Sequence, residues 1–529
     1  MTHGTLTLVL HAHLPFVRHP EYEDFLEEDW LFEAITETYV PLLQAFYRLR
    51  AEGLRFRITM SITPPLAAML DDQLLRSRYR RHLGRLRELA ASEVRGNDAG
   101  SRIGRIARHY QDRLQQIDGF YQGWGGDLLA AFRELQNDGH LEIVACNATH
   151  GFLPLMSGPA PRRAQIRAGI AAYTRTFGRR PRGIWLAECG YDHGIDRLLG
   201  DEGIDYFFVD AHGLEYGRPR PARGTHAPMR TPGGPAAFAR DHETGRQVWS
   251  ANEGYPGDPV YREFYRDLGW DASYEYIRRY LHDDGVRRGV GLKYHRITGA
   301  VPLHEKDLYD PDAAAWRARE HAQNFVFNRK HQILHLRGTQ HPADRAPNIV
   351  AMYDAELFGH WWYEGPIFIE EVLRGLAAEP ELEAVTPSEY LAGSGGDLEL
   401  GRPNPSTWGA NGTAQVWLNG QVAWMYRFAH WAEREMGHLA RRYARSGGLA
   451  ERALAQAGRE LLLMQSSDWA FIVTTGTTAP YAVRRFKRHF QGFQALREGL
   501  LSGQLSEADV SAREAATTLF PELDVTAWT

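Results

Sequence analysis

Two carboxylates stand where short apolar runs end. Residues 184–187 read as a buried strand, and Glu188 follows before Cys189 and Gly190 break it. Residues 348–353 read the same way and deliver Asp354. A carboxylate at the C-terminal end of a buried parallel strand is where α/β barrels keep catalytic groups. The plainer alternative for Glu188 is a helix cap or a partner for an arginine. Other strand ends add His11, His13, His150 and Asp210. His11 and His13 are two apart, so on a strand they face the same way.

Two chemistries compete for these groups. In one, Glu188 and Asp354 cleave a glycosidic bond: one attacks or stabilises the sugar and the other protonates the leaving oxygen. The histidines then hold substrate hydroxyls or the acids. In the other, His11, His13, His150 and an aspartate bind a metal for hydrolysis. For His11 and His13, an ordinary hydrogen-bonded role outweighs metal ligation. The chain has no phosphate-binding Gly-x-x-x-x-Gly-Lys-Ser/Thr loop, no Gly-x-Ser-x-Gly elbow and no zinc-spaced cysteine pair.

The elements that must position these residues follow a strand–helix–strand rhythm, which indicates a parallel sheet. Strands are expected at 5–10, 55–61, 141–145, 184–187, 204–210, 348–353 and 382–386. Residues 72–138 read as an inserted helical unit. Its stripes are Leu75, Tyr79, Leu83 and Leu86, then Ile103, Ile106, Tyr110, Leu114 and Ile117. Residues 211–253 are Pro- and Gly-rich and read as a long lid or binding loop. Residues 390–412 read as a linker. Helices are then expected at 413–446, 449–465, 479–501 and 506–517, with a Ser-Ser-Asp-Trp loop at 466–478.

The 529 residues can bury a large core, and 43% hydrophobic with 24% charged residues is an ordinary soluble balance. A net charge of -5 argues against nucleic acid as a partner. No run is long enough to cross a membrane. Two cysteines, Cys146 and Cys189, make no disulfide framework, and with no signal segment they suggest a cytoplasmic enzyme. Aromatics are 12% of the chain, and several of its 14 Trp sit in loop-like contexts, where ring faces suit sugars.

Five motifs, in order along nearly the whole chain, resemble those of the α-1,4-glucan branching enzymes of glycoside hydrolase family 57. They are His11-Ala12-His13-Leu14-Pro15, Asn147-Ala148-Thr149-His150-Gly151-Phe152, Trp185-Leu186-Ala187-Glu188-Cys189-Gly190-Tyr191, Tyr353-Asp354-Ala355-Glu356-Leu357-Phe358-Gly359-His360-Trp361-Trp362 and Ser466-Ser467-Asp468-Trp469. The resemblance implies an α/β fold: an incomplete (β/α)7 barrel over 1–395, with helical insertion 72–138 and catalytic loop 211–253, and an all-helical C-terminal domain over 396–529. It implies a retaining transferase that cleaves α-1,4 bonds and forms α-1,6 branches, as in glycogen synthesis, with no metal or cofactor. Glu188 matches the nucleophile and Asp354 the acid/base, with carboxyl groups expected roughly 5–6 Å apart. Trp30, Trp270, Trp408 and Trp417 look like glucan-stacking tryptophans. His11, His13, His150, Trp362 and Asp468 would line the cleft. The implied partner is an α-glucan such as amylose or glycogen, for a monomer or weak homodimer.

One departure concerns the loop after the fifth strand. In the family it carries a tyrosine at its tip that favours transfer over hydrolysis. Here no Tyr occurs between Tyr216 and Tyr255, Phe238 is the only aromatic before Trp249, and the run 232–237 occupies the expected tip. An α-amylase or 4-α-glucanotransferase is therefore the alternative outcome of the same chemistry. A glucan-binding protein without turnover is the alternative of a different class.

Overall fold

The computed structural model describes residues 3–250, 253–339, 346–393 and 398–529. The expected strands form as β1 (Gly4–Ala12), β2 (Ile58–Ile62), β3 (Leu141–Cys146), β4 (Gly183–Trp185), β5 (Tyr206–Val209), β8 (Asn348–Asp354) and β9 (Leu382–Ala384). Apart from β9 they are nearly all-buried runs, as strands covered on both faces must be. Two more strands lie inside the stretch expected to be a loop: β6 (Met229–Arg230) and β7 (Ala236–Ala239).

The sheet order is β6-β7-β5-β4-β3-β2-β1-β8. All named pairs are parallel except β6 with β7. Seven parallel strands thus form the ring, and β9 is a short addition on Gly4–Leu6. The open side between β7 and β8 is spanned by a backbone bond from Asp241 N–H to Val350 O at 2.9 Å.

This corrects the reading of residues 211–253. Ala236 pairs with Tyr206 at the start of β5, so the Pro-Gly-Gly-Pro turn lies at the end of the sheet where strands begin. The carboxylates lie at the other end. Gly233 N–H bonds Asp196 Oδ2 at 2.9 Å in helix Ile195–Asp201, and Phe238 is buried in the core. Arg240 instead follows β7 at the cleft end, and the helix His242–Trp249 is tied to β8 by Tyr353 Oη–H to Thr244 O at 2.9 Å.

The first strand leads into α1 (Asp29–Ala34), a π-helical turn over Ile35–Tyr39, and α2 (Val40–Ala51). Such π-turns are frequent at functional sites. Here the turn carries Glu37 and Tyr39, both buried. The insertion is a helical hairpin, α3 (Gln73–Gly96) and α4 (Arg102–Gly123). Asp72 and Ser101 cap it by accepting from Leu75 N–H and Gly104 N–H. Of the expected stripe residues, Leu75, Tyr79, Leu83, Leu86, Ile106, Tyr110, Leu114 and Ile117 are buried, whereas Ile103, in the first turn of α4, is 38% exposed.

The expected domain boundary at 395/396 falls outside the described residues. The segment expected to be a linker is not a free tether where it is described. Leu400, Arg402 and Ser406 form β-bridges with Arg230, Arg218 and Tyr191, which lays the chain back along the barrel. The C-terminal helices are α5 (Ala423–Tyr443), α6 (Gly448–Met464), α7 (Ser467–Thr475), α8 (Ala479–Ser502) and α9 (Glu507–Ala516). The stretch read as a Ser-Ser-Asp-Trp loop is thus α7, whose first turn holds Ser467 and Asp468. No described helix is long and apolar enough to cross a membrane.

Candidate active site

Parallel pairing fixes the geometry at the top of the sheet. β1 and β8 place His11 opposite Asp354. Glu188 follows β4 in a left-handed conformation (φ 61°, ψ 22°), and Cys189 has φ 50°. His150, after β3, has φ 56°. Non-glycine residues avoid this region at a cost of order 1–3 kcal/mol each, so three together mark a functional constraint. The bend at Glu188 is held by Cys189 N–H to Leu186 O and by Trp408 N–H to Glu188 O, at 2.9 and 3.0 Å.

Each oxygen of the Glu188 carboxylate has a donor. Trp408 Nε1–H reaches Oε2 at 2.9 Å and Ser467 Oγ–H reaches Oε1 at 3.0 Å. Burial, then the Asp468 charge, outweigh these donors and raise its pKa. Asp354 differs. Among the described residues, none donates a hydrogen bond to its carboxyl group. Burial, the neighbouring Glu356 charge and then Glu188 push its pKa well above the usual carboxylate range. Two carboxylates that feel each other are therefore held unequally: one supplied with donors for its charged form, the other favoured as the acid.

A chain of hydrogen bonds runs into Glu188 from four elements. Ser61 Oγ lies 3.2 Å from His11 Nδ1, His11 Nε2 lies 3.0 Å from His150 Nε2, and His150 Nδ1 lies 2.9 Å from Ser467 Oγ. An ionised Glu188 only accepts. Ser467 must then donate to it and accept from His150 Nδ1–H, so His150 Nε2 accepts from His11 Nε2–H and His11 Nδ1 accepts from Ser61. Both imidazoles are neutral in this scheme, and burial lowers the pKa of both well below the ordinary histidine value. His11 also stacks on Trp185, with ring centres 4.6 Å apart.

His13 is the opposite case. Its Nε2 lies 3.1 Å from both Asp468 oxygens and its Nδ1 bonds Thr63 Oγ1 at 2.9 Å. Burial disfavours the charged ring, but the Asp468 carboxylate outweighs it and raises the His13 pKa. Burial likewise opposes the Asp468 charge, and His13 prevails to lower that pKa. His13, His150 and Asp468 also present ligand atoms within 4.8 Å of one another, so they could converge on a metal ion. As placed, both His150 nitrogens are engaged by His11 and Ser467, and the His13 and His150 rings stack at 3.8 Å.

The structure thus brings together Glu188, Asp354, His11, His13, His150, Trp408 and Asp468. Asp210 is not a free carboxylate, because Arg240 and His212 hold it ionised against the cost of burial. Trp270 is 56% exposed, and Trp30 is partly buried, edge-on to Tyr481 at 5.9 Å. Trp362 and Trp417 are corrections. Each is 1% exposed, Trp362 packed on Phe368 and Trp417 stacked on Phe152, so neither offers a ring face to a glucan. Sequence reasoning missed Ser61, Ser467, Arg240 and Glu356. Glu356 accepts from His13 N–H at 3.1 Å and from Tyr39 Oη–H. Its place in the 353–362 motif, like that of Ser467 in the 466–469 motif, was the available signal.

A family model described as glycosyl hydrolase family 57 matches residues 7–399, and one described as the C-terminal domain of 1,4-α-glucan branching enzyme matches 429–528. A 1,4-α-glucan branching enzyme of Thermococcus kodakarensis is 35% identical over 540 residues, covering 97% of this chain and 76% of that protein. Its crystal structure, in complex with glucose, superposes with a TM-score of 0.89 at 33% identity over 100% of this chain and 97% of that one. The structure of an α-amylase, AmyC, of Thermotoga maritima superposes with a TM-score of 0.92 at 43% identity over 99% of both chains. With these matches spanning barrel and helical domain alike, the chain belongs to glycosyl hydrolase family 57.

Proposed function

We propose that this chain is a 1,4-α-glucan branching enzyme working through Glu188 and Asp354. The observation that carries the reading is the inequality of the two carboxylates, one ringed by donors and one pushed towards its acid form. Glu188 attacks the anomeric carbon of an α-1,4 bond while Asp354 gives its proton to the departing glycosidic oxygen. A covalent glycosyl-enzyme remains. Asp354, now ionised, takes the proton of a 6-hydroxyl on an acceptor chain, and that oxygen displaces Glu188 to give an α-1,6 branch with retained configuration.

The neighbours suit these roles. Trp408 and Ser467 aim the Glu188 oxygens, and the neutral His11 and His150 add no competing charge. The ionised His13–Asp468 pair offers hydrogen-bonding groups at the cleft wall. Homologues named for branching, and the match of the C-terminal segment to the branching-enzyme domain, support transfer as the outcome.

Water is the competing acceptor at the glycosyl-enzyme. The likeness to AmyC, a protein named as an α-amylase, favours hydrolysis as the second reading. One experiment separates them: incubate the protein with amylose, debranch the product, and size the chains. New α-1,6 linkages in excess of new reducing ends are expected. Reducing ends without branches would replace the proposal with an amylase, and binding without either product would replace it with a glucan-binding protein.

A further inference from the structure

The loop that starts at Asp354 presents an aromatic platform that the carboxylate chemistry does not use. Trp361 is 54% exposed although its neighbour Trp362 is buried. One face of its indole is covered by Phe264, stacked at 4.4 Å, and Phe264 in turn takes the Lys293 ammonium at 4.2 Å. The loop is tied down by Trp361 N–H to Glu356 O and by His360 N–H to Thr38 Oγ1, both at 3.2 Å. A fixed indole with one open face is a stacking surface already ordered for a ligand.

A carboxylate waits beside it. Glu33 lies on α1, three residues after Trp30 and so on the same helix face. Its side chain is 38% exposed, and among the described residues no group donates a hydrogen bond to it. His360 Nδ1 lies 3.8 Å from it and is already engaged by Glu37 at 3.0 Å. Crowding by protein atoms pushes the Glu33 carboxyl up to about 7. The His360 ring lies edge-on to Trp361 at 5.3 Å, so Glu33 and Trp361 flank one imidazole. A cation would need several free oxygens, and Glu37 is already shared between Arg262 and His360. An acceptor without donors next to an open aromatic face matches a pyranose ring, whose C–H face stacks and whose hydroxyls donate.

We propose that Glu33 on α1 and Trp361 on the loop that follows Asp354 form a glucan subsite, in which one glucose unit stacks on Trp361 and donates its hydroxyls to Glu33. This rests on the reading of the protein as acting on α-glucan. The test is amylose binding by titration calorimetry in the full chain carrying Glu188→Gln, which prevents turnover. Trp361→Ala is expected to weaken binding about tenfold, and Trp361→Phe to restore most of it. Glu33→Ala is expected to weaken binding about fivefold. Thermal midpoints of all three should lie close to the parent's, because Trp361 is 54% exposed and no described residue donates a hydrogen bond to Glu33. Parent-like binding by Trp361→Ala and Glu33→Ala would overturn the subsite alone. Equal loss in the Ala and Phe variants would overturn stacking as its basis. Failure of the Glu188→Gln parent to bind amylose would overturn the glucan reading, and the subsite with it.

Discussion

Replacing Ser467 by alanine tests whether the helical domain sets the charge and aim of the proposed nucleophile. The hydroxyl gives one of the two hydrogen bonds to the Glu188 carboxylate, at 3.0 Å, and accepts one from His150 at 2.9 Å. A hydrogen bond to a charged group is worth about 1.5–3 kcal/mol, which corresponds to a loss of roughly 10- to 150-fold in kcat/KM if it acts fully in the transition state. Trp408 still holds the other oxygen, so the loss should fall short of removing the carboxylate itself. The sign on pH is fixed by the same contact. The Ser467 hydrogen bond favours the ionised form, so its removal raises the Glu188 pKa further. The nucleophile must be ionised, and activity is lost as pH falls through its pKa. The acid limb of the kcat/KM profile therefore moves to higher pH in Ser467→Ala, measured as reducing ends plus branches released from amylose. Ser467→Thr, which keeps the hydroxyl, should move the limb less. Wild-type kcat/KM with an unshifted acid limb in Ser467→Ala would refute the reasoning.

Glu356→Gln should shift the other limb. Its charge is the largest charge effect raising the Asp354 pKa, and Asp354 must begin protonated, so removing it moves the alkaline limb of kcat/KM to lower pH. Asp468→Asn should destabilise the fold in a pH-dependent way, read by thermal unfolding. The His13 pKa is raised in the folded chain, so the pair's stabilisation is present below the unfolded histidine value and lost as pH rises through the folded one. The Asp468 pKa is lowered, so the same stabilisation also fades as pH falls through its folded value. The difference from wild type should therefore peak between these values, and a difference independent of pH would count against the ion pair.

The strand ends were legible because a strand covered on both faces must be a short apolar run, and the first polar residue after it is the one the sheet lifts into the cleft. That rule found Glu188 and Asp354. It failed for β7, whose Ala236, Ala237 and Ala239 are small and follow a Pro-Gly-Gly-Pro turn, so turn residues masked a strand. It failed for α7, where Ile472, Val473, Thr474 and Thr475 weaken the helical signal although packing against α8 forms the helix. Trp361 and Trp362 are neighbours of one type in a turn, and no periodicity tells which faces solvent. The deepest gap concerns what surrounds Glu188. Its two donors lie 220 and 279 residues further along the chain, and the serine in β2 that starts the histidine relay has no spacing relation to either. A motif can therefore point to the proposed nucleophile through the strand that leads to it. The groups that decide its charge and aim come from the segment laid back along the barrel and from the helical domain, so only the assembled fold shows that they reach it.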